Sequence, residues 1–292
     1  METNKLPGSL DSKQIDSYRE RGYLFPLQVF TPEESAEFRG HFDAYYDYNR
    51  EQLRMLPANK HSSIYGHTHT FLRWVYRMVA HPKVLNAVES ILGPDLTVRD
   101  TAWFVKMPSD KKYISWHQDG TYWGLHPPKV TTAWIALSDS IPENGCMRVI
   151  PGSHKSPLLP HQETYAPDNA LSRGQEIAVE VDESKAVDLV LHPGQISLHD
   201  IAIVHGSLAN TSDMPRIGIA VRYMPPEVVQ EGSVRQLALL VRGEDEYRHV
   251  DLLEPPRGDD PSQNAMQVES LDRLFRNART LAPPLAARGA SS

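Results

Sequence analysis

The chain has 292 residues, 40% of them hydrophobic, and a formal net charge of −7. That is enough for a sizeable core in one large domain or two small ones, and it supplies no general field for nucleic acid or an anionic membrane. The single cysteine, Cys146, excludes an intrachain disulfide framework and any multi-cysteine metal site; it reads as a small buried hydrophobe beside Gly145.

Residues 1–23 lack the apolar stretch of a secretory signal, and no run approaches the roughly 20 apolar residues that span a bilayer. The expected setting is cytoplasmic, with no membrane or nucleic-acid partner. Residues 10–56 read as helical. A first helix begins at a Ser or Asp cap and ends at Gly22; a second has Thr31 as its cap, Pro32 at the first helical position and Glu34 at the third. A third spans 81–93, with Val84, Leu85, Val88, Ile91 and Leu92 at helical spacing and Gly93 as the stop.

From residue 97 the period shortens. Segments such as TVRDTAWFVKM, KYISWHQD, KVTTAWIALSDS, GQISLHD and RIGIAVRYM are rich in β-branched and aromatic residues and separated by Pro, Gly and Asn turns. About eight short strands after a helical preface predict a mainly β jelly roll with flanking helices. Residues 265–280 read as one amphipathic helix, and 281–292 as a small-residue tail. The whole reads as one domain: a helical part at about 10–93, a β core at about 97–225, and a lid, helix and tail at about 226–292.

Within YISWHQDGTYWGL, His117 and Asp119 sit two residues apart at a predicted strand end. Alone this pair is weak, since about one His-x-Asp arises by chance in a chain with this many histidines. On a strand, however, residues i and i+2 face the same way. His205, after the apolar run IAIV, is a candidate third ligand. Two histidines and one carboxylate on one face of a metal suit non-haem Fe(II), with three positions open. A zinc hydrolase with the same ligands stays open as an alternative.

An oxygenase of that type draws electrons from a 2-oxo acid, whose far carboxylate needs a fixed cation. Arg216 lies eleven residues after His205, across the turn NTSDMP, where antiparallel pairing could return its guanidinium to the metal. Ser207, two after His205, can add a hydroxyl.

The motifs WHQDG (116–120), AWIALSD (133–139), NGCMRVIPGSHK (144–155), HPGQISLHD (192–200) and HGSLANTSDMPRIGIAVRY (205–223), with the opening YRERGYLFPLQVFTPEES, resemble the phytanoyl-CoA dioxygenase family. The likeness covers roughly residues 10–225. It implies a double-stranded β-helix, a cupin-like jelly roll, using Fe(II), 2-oxoglutarate and O2. It places the iron ligands on His117, Asp119 and His205, and the cosubstrate contacts on Gln118, Trp134, Ser207 and Arg216. Halogenases of this fold carry a small residue in place of the carboxylate; Asp119 therefore implies hydroxylation, or a related desaturation or epoxidation, rather than halogenation. Tyr65, His67, His69 and Arg73, in the segment before the barrel, and Tyr122 and Trp123, just past the ligand strand, are candidate contacts for a small or medium-sized metabolite or natural-product intermediate. A non-catalytic binding module on the same fold is the remaining alternative.

Overall fold

The computed structural model describes residues 6–56, 61–171, 173–231 and 235–263. Local sequence sets the helical preface. The helix Ser12–Arg21 starts at Asp11, whose side chain and that of Gln14 satisfy each other's backbone N–H, and stops at Gly22 in the left-handed region. Thr31 and Glu34 repeat the device for Pro32–Met55, with Pro32 at the helix start. The helix Pro82–Leu92 is capped by His81 and ended by Gly93. Its buried Val84 and Val88 each contribute about 1.5–3 kcal/mol by leaving water. Two short helices, Ser62–Tyr65 and Arg73–Val79, complete this side.

Two sheets make the double-stranded β-helix. The larger runs Tyr23–Gln28, Gln195–Asp200, Thr131–Ala136, Arg216–Met224, Leu96–Lys106, Gln236–Arg242, Val250–Leu252 in spatial order. The smaller runs Ile114–His117, His205–Ser207, Met147–Val149, Val187–Leu189. Alternation divides the larger sheet cleanly. Ile217, Ile219, Val221 and Tyr223 pack outward with the helices, together with Ala133, Ile135, Ile196 and Leu198. Trp134, Ala136 and Ala220 face inward and meet Met147, Val149 and Leu189 of the smaller sheet. The inward rows thus reach the space in which a site can form.

Two expectations need correction. Residues 10–56 are not all helical, because Tyr23–Gln28 is an edge strand pairing with Gln195–Asp200. Pro26 sits within it, which an edge position tolerates. The β core also does not end near 225: Gln236–Arg242 pairs with the start of Leu96–Lys106 and carries Val250–Leu252 beside it, so 236–252 belongs to the sheet and not to a lid. The helix expected at 265–280 and the tail lie outside the described residues. Among the described residues no helix is long and apolar enough to cross a membrane.

Candidate active site

His117 ends its strand and His205 begins the neighbouring one, and the two are register partners. A bulge follows, with Ser207 opposite Ile114. The hydrogen-bonded strand stops at His117, two residues before the expected end, but Gln118 keeps extended backbone (φ −126°, ψ 123°) and Asp119 opens a 3-10 turn. The His-x-Asp spacing therefore still delivers both side chains to one place. One ligand atom from each of His117, Asp119 and His205 lies within 4.8 Å of the others, and all three residues are buried.

Protonation suits a metal. His117 Nδ1 is 2.9 Å from the Ser115 carbonyl and His205 Nδ1 is 3.0 Å from that of Ile203. A carbonyl can only accept, so each Nδ1 carries the proton and each Nε2 offers a lone pair. Burial, with repulsion from His117, pushes the His205 imidazole well below its ordinary value and keeps it neutral. Burial opposes charge on Asp119, but contacts with His117, Arg222 and His205 outweigh it and hold the carboxyl well below the usual range. Asp119 Oδ2 is buried without a hydrogen bond. A stripped carboxylate oxygen beside two free Nε2 lone pairs fits a divalent cation, and the donor types fit Fe(II).

A second cluster adjoins the triad along its own strand. Ser207, two residues from His205, accepts from the buried Lys106 ammonium at 2.7 Å. Lys106 is the register partner of Arg216, which is 2% exposed and donates to the Gly145 carbonyl. Lys106 Nζ also donates to the Leu208 carbonyl. Gly145 has φ 76°, and a Cβ there would collide with that same carbonyl. Among the described residues no carboxylate hydrogen-bonds either cation, so the pair is chemically suited to receive an anion. Sequence reasoning found Arg216 and missed Lys106, because a lysine at a strand end ordinarily reaches solvent.

Trp134 lies beneath Arg216, the guanidinium carbon 5.5 Å from its ring centroid. The ring packs so closely on Gly218 that a Cβ there would overlap it. Gly218→Ala is therefore expected to cost about 1–3 kcal/mol and to shift tryptophan fluorescence; an unchanged Tm and spectrum would contradict this packing.

The other expected residues divide. Both ends of the Gln118 amide are taken by backbone: Nε2 donates to Ala202 at 2.6 Å and Oε1 accepts from Leu159 at 2.8 Å. Gln118 here clamps two loops. Tyr65 belongs to the outward-facing core with the helices, and His69 is bonded to Thr101 at 2.9 Å. His67 is buried with positive φ and Arg73 is exposed. The Tyr122 side chain lies outside the described residues. Trp123 is buried and stacks under two guanidiniums, Arg99 at 4.9 Å and Arg222 at 5.6 Å. His199 was not foreseen: its ring is 5.1 Å from that of His205, and burial pushes its imidazole down to about 4.

Comparison with known proteins agrees with this geometry. Residues 18–218 match the family model described as phytanoyl-CoA dioxygenase. The non-heme monooxygenase ThoJ, solved in its apo form, is 32% identical, superposes with a TM-score of 0.76 and covers 91% of this chain and 97% of its own. An ectoine dioxygenase from Nocardia farcinica is 27% identical over 233 residues, 73% of this chain and 77% of that protein. The peroxisomal phytanoyl-CoA dioxygenase of Bos taurus is 30% identical over 156 residues, 51% of this chain and 45% of that protein. The chain belongs to the phytanoyl-CoA dioxygenase family, whose members are oxygenases dependent on Fe(II), 2-oxoglutarate and O2.

Proposed function

We propose that this chain hydroxylates a small or medium-sized metabolite or natural-product intermediate as a single oxygenase domain. The observation that carries the reading is the adjacency of a three-ligand cluster and a buried cation pair, joined through His205 and Ser207 on one short strand. Residues i and i+2 of a strand are about 6.7 Å apart, so one end of a small dicarboxylate reaches Ser207 while the other is at the metal.

In this reading His117, Asp119 and His205 would hold the metal. The Ser115 and Ile203 carbonyls fix the imidazole tautomers. Arg216, Ser207 and Lys106 receive the far carboxylate of 2-oxoglutarate, and Trp134 walls its chain. Fe(II) with 2-oxoglutarate and O2 supplies the oxidising power, with succinate and carbon dioxide released. Asp119 would supply the carboxylate ligand whose loss makes room for a halide, which favours hydroxyl transfer over halide transfer.

Anaerobic addition of Fe(II) and then 2-oxoglutarate is the direct test. A weak visible charge-transfer band appearing only with both supports chelation at this triad. Bound metal without that band points to the zinc hydrolase, and a band without succinate release for any compound tried points to a binding module.

Lys106 adds a proton-linked prediction. Burial, reinforced by Arg216, pushes its ammonium down to about 6, so without ligand it is largely neutral at pH 8. A carboxylate bound beside it favours the charged form and raises that value. Binding of 2-oxoglutarate should thus take up a proton at pH 8, and affinity should fall as pH rises above 6. Calorimetry in buffers of different ionisation enthalpy should show the uptake in the wild type and not in Lys106→Met; equal heats in all buffers would remove Lys106 from the site.

A further inference from the structure

The buried charged side chains among the described residues are Arg99, Lys106, Arg216 and Arg222 against Asp100 and Asp119. Lys106 and Arg216 belong to the cosubstrate end and Asp119 to the metal. That leaves Arg99, Arg222 and Asp100 at the other end. Asp100 meets Arg99 Nη1 through one oxygen and Arg222 Nη1 at 3.0 Å through the other.

Arg222 is 9% exposed and its donors are unevenly used. Nη1 is committed to Asp100, whereas Nε makes no hydrogen bond and Nη2 stands 3.9 Å from Asp119 Oδ2, beyond hydrogen-bond reach. Nε and Nη2 form one edge of the guanidinium fork, the edge that binds a carboxylate through two parallel hydrogen bonds. The plane is flanked by apolar rings, Trp123 at 5.6 Å and Phe104 at 5.9 Å. Beside the same triad His199, 2% exposed, also has an Nδ1 with no partner. A buried guanidinium Nε–H without an acceptor is costly unless a ligand supplies one.

We propose that the substrate carries a carboxylate on an apolar frame and that the Nε–Nη2 edge of Arg222 receives it. The inference rests on the oxygenase reading of the site. A carboxylate there would meet the Nε–H and Nη2–H donors that face away from Asp100, with Trp123 and Phe104 flanking the adjoining apolar part. Because Arg222 also approaches Asp119, the anchored group is held next to the metal, which sets which carbon of the frame faces it. Substrate carbons close to the carboxylate are the ones presented.

The test uses the full chain loaded with Mn(II) and 2-oxoglutarate, which bind without turnover. Cosubstrate binding is measured first; its failure would count against the oxygenase reading itself and is seen before any probe is added. The loaded protein is then titrated with a panel of alkanoic and arylalkanoic acids, each paired with its primary amide. At least one acid is expected to bind about tenfold or more tightly than its amide. Arg222→Gln should reduce that preference to about twofold or less, and Arg222→Lys, which keeps the charge and loses the fork, should retain part of it. A wild type that prefers no acid over its amide, or an Arg222→Gln that keeps the preference, overturns the proposal. Loss of Mn(II) by both variants would make Arg222 a support for Asp119 alone and overturn it equally.

Discussion

Replacing His205 by alanine is expected to abolish turnover and to lower metal affinity by more than about 100-fold, with the fold retained. Losing an outer support of a metal ligand already costs about 10–100-fold, so losing a ligand of a three-ligand site costs more. The position tolerates the change structurally because its strand pairs with His117 and Val149 through backbone groups. The buried imidazole contributes little to folding, since among the described residues it hydrogen-bonds the nearby Ile203 carbonyl and burial opposes its charge. Mn(II) titration followed by electron paramagnetic resonance, with circular dichroism as the fold control, checks this. Affinity within about tenfold of the wild type would exclude His205 as a ligand.

What the sequence made legible is what is local. The capping pairs Asp11 with Gln14 and Thr31 with Glu34, and the stops at Gly22 and Gly93, act within one turn of chain and were readable. The His-x-Asp pair was readable for the same reason, and survives the early end of its strand because Gln118 stays extended. Tyr23–Gln28 was lost inside a helical reading because its partner, Gln195–Asp200, comes from far along the chain. Gln236–Arg242 reads as lid because its pairing with Leu96–Lys106 likewise has no local trace. Lys106, His199 and Arg222 were invisible as site residues for a related reason. Each is an ordinary polar side chain until sheet formation turns it inward, and only then do a lone lysine, histidine or arginine acquire their neighbours. Tyr65 and His69 go the other way, from candidate substrate contacts to groups placed by the outer core and by Thr101.

Arg216→Ala is expected to weaken 2-oxoglutarate binding by about 30-fold or more while metal affinity changes by less than about threefold. Removing one partner of a buried, hydrogen-bonded charge pair costs about 2–5 kcal/mol, much of it because the other charge stays buried and unpaired. Here the stranded group would be the far carboxylate of the cosubstrate. Lys106 softens the loss but does not replace it: its ammonium is already held by Ser207 and by the Leu208 carbonyl, and it presents no planar fork. Burial lowers the Arg216 guanidinium only to about 10, so the wild-type charge is in place throughout neutral pH. Metal affinity is spared because the imidazoles of the triad are fixed by the Ser115 and Ile203 carbonyls, whereas Arg216 is bonded to the Gly145 carbonyl. Titrating metal and then 2-oxoglutarate into the same folded variant separates the two affinities. Equal loss of both would mean that Arg216 shapes the barrel as a whole, and the cosubstrate would have to be anchored elsewhere; loss of 2-oxoglutarate alone would make the cation pair the cosubstrate's anchor.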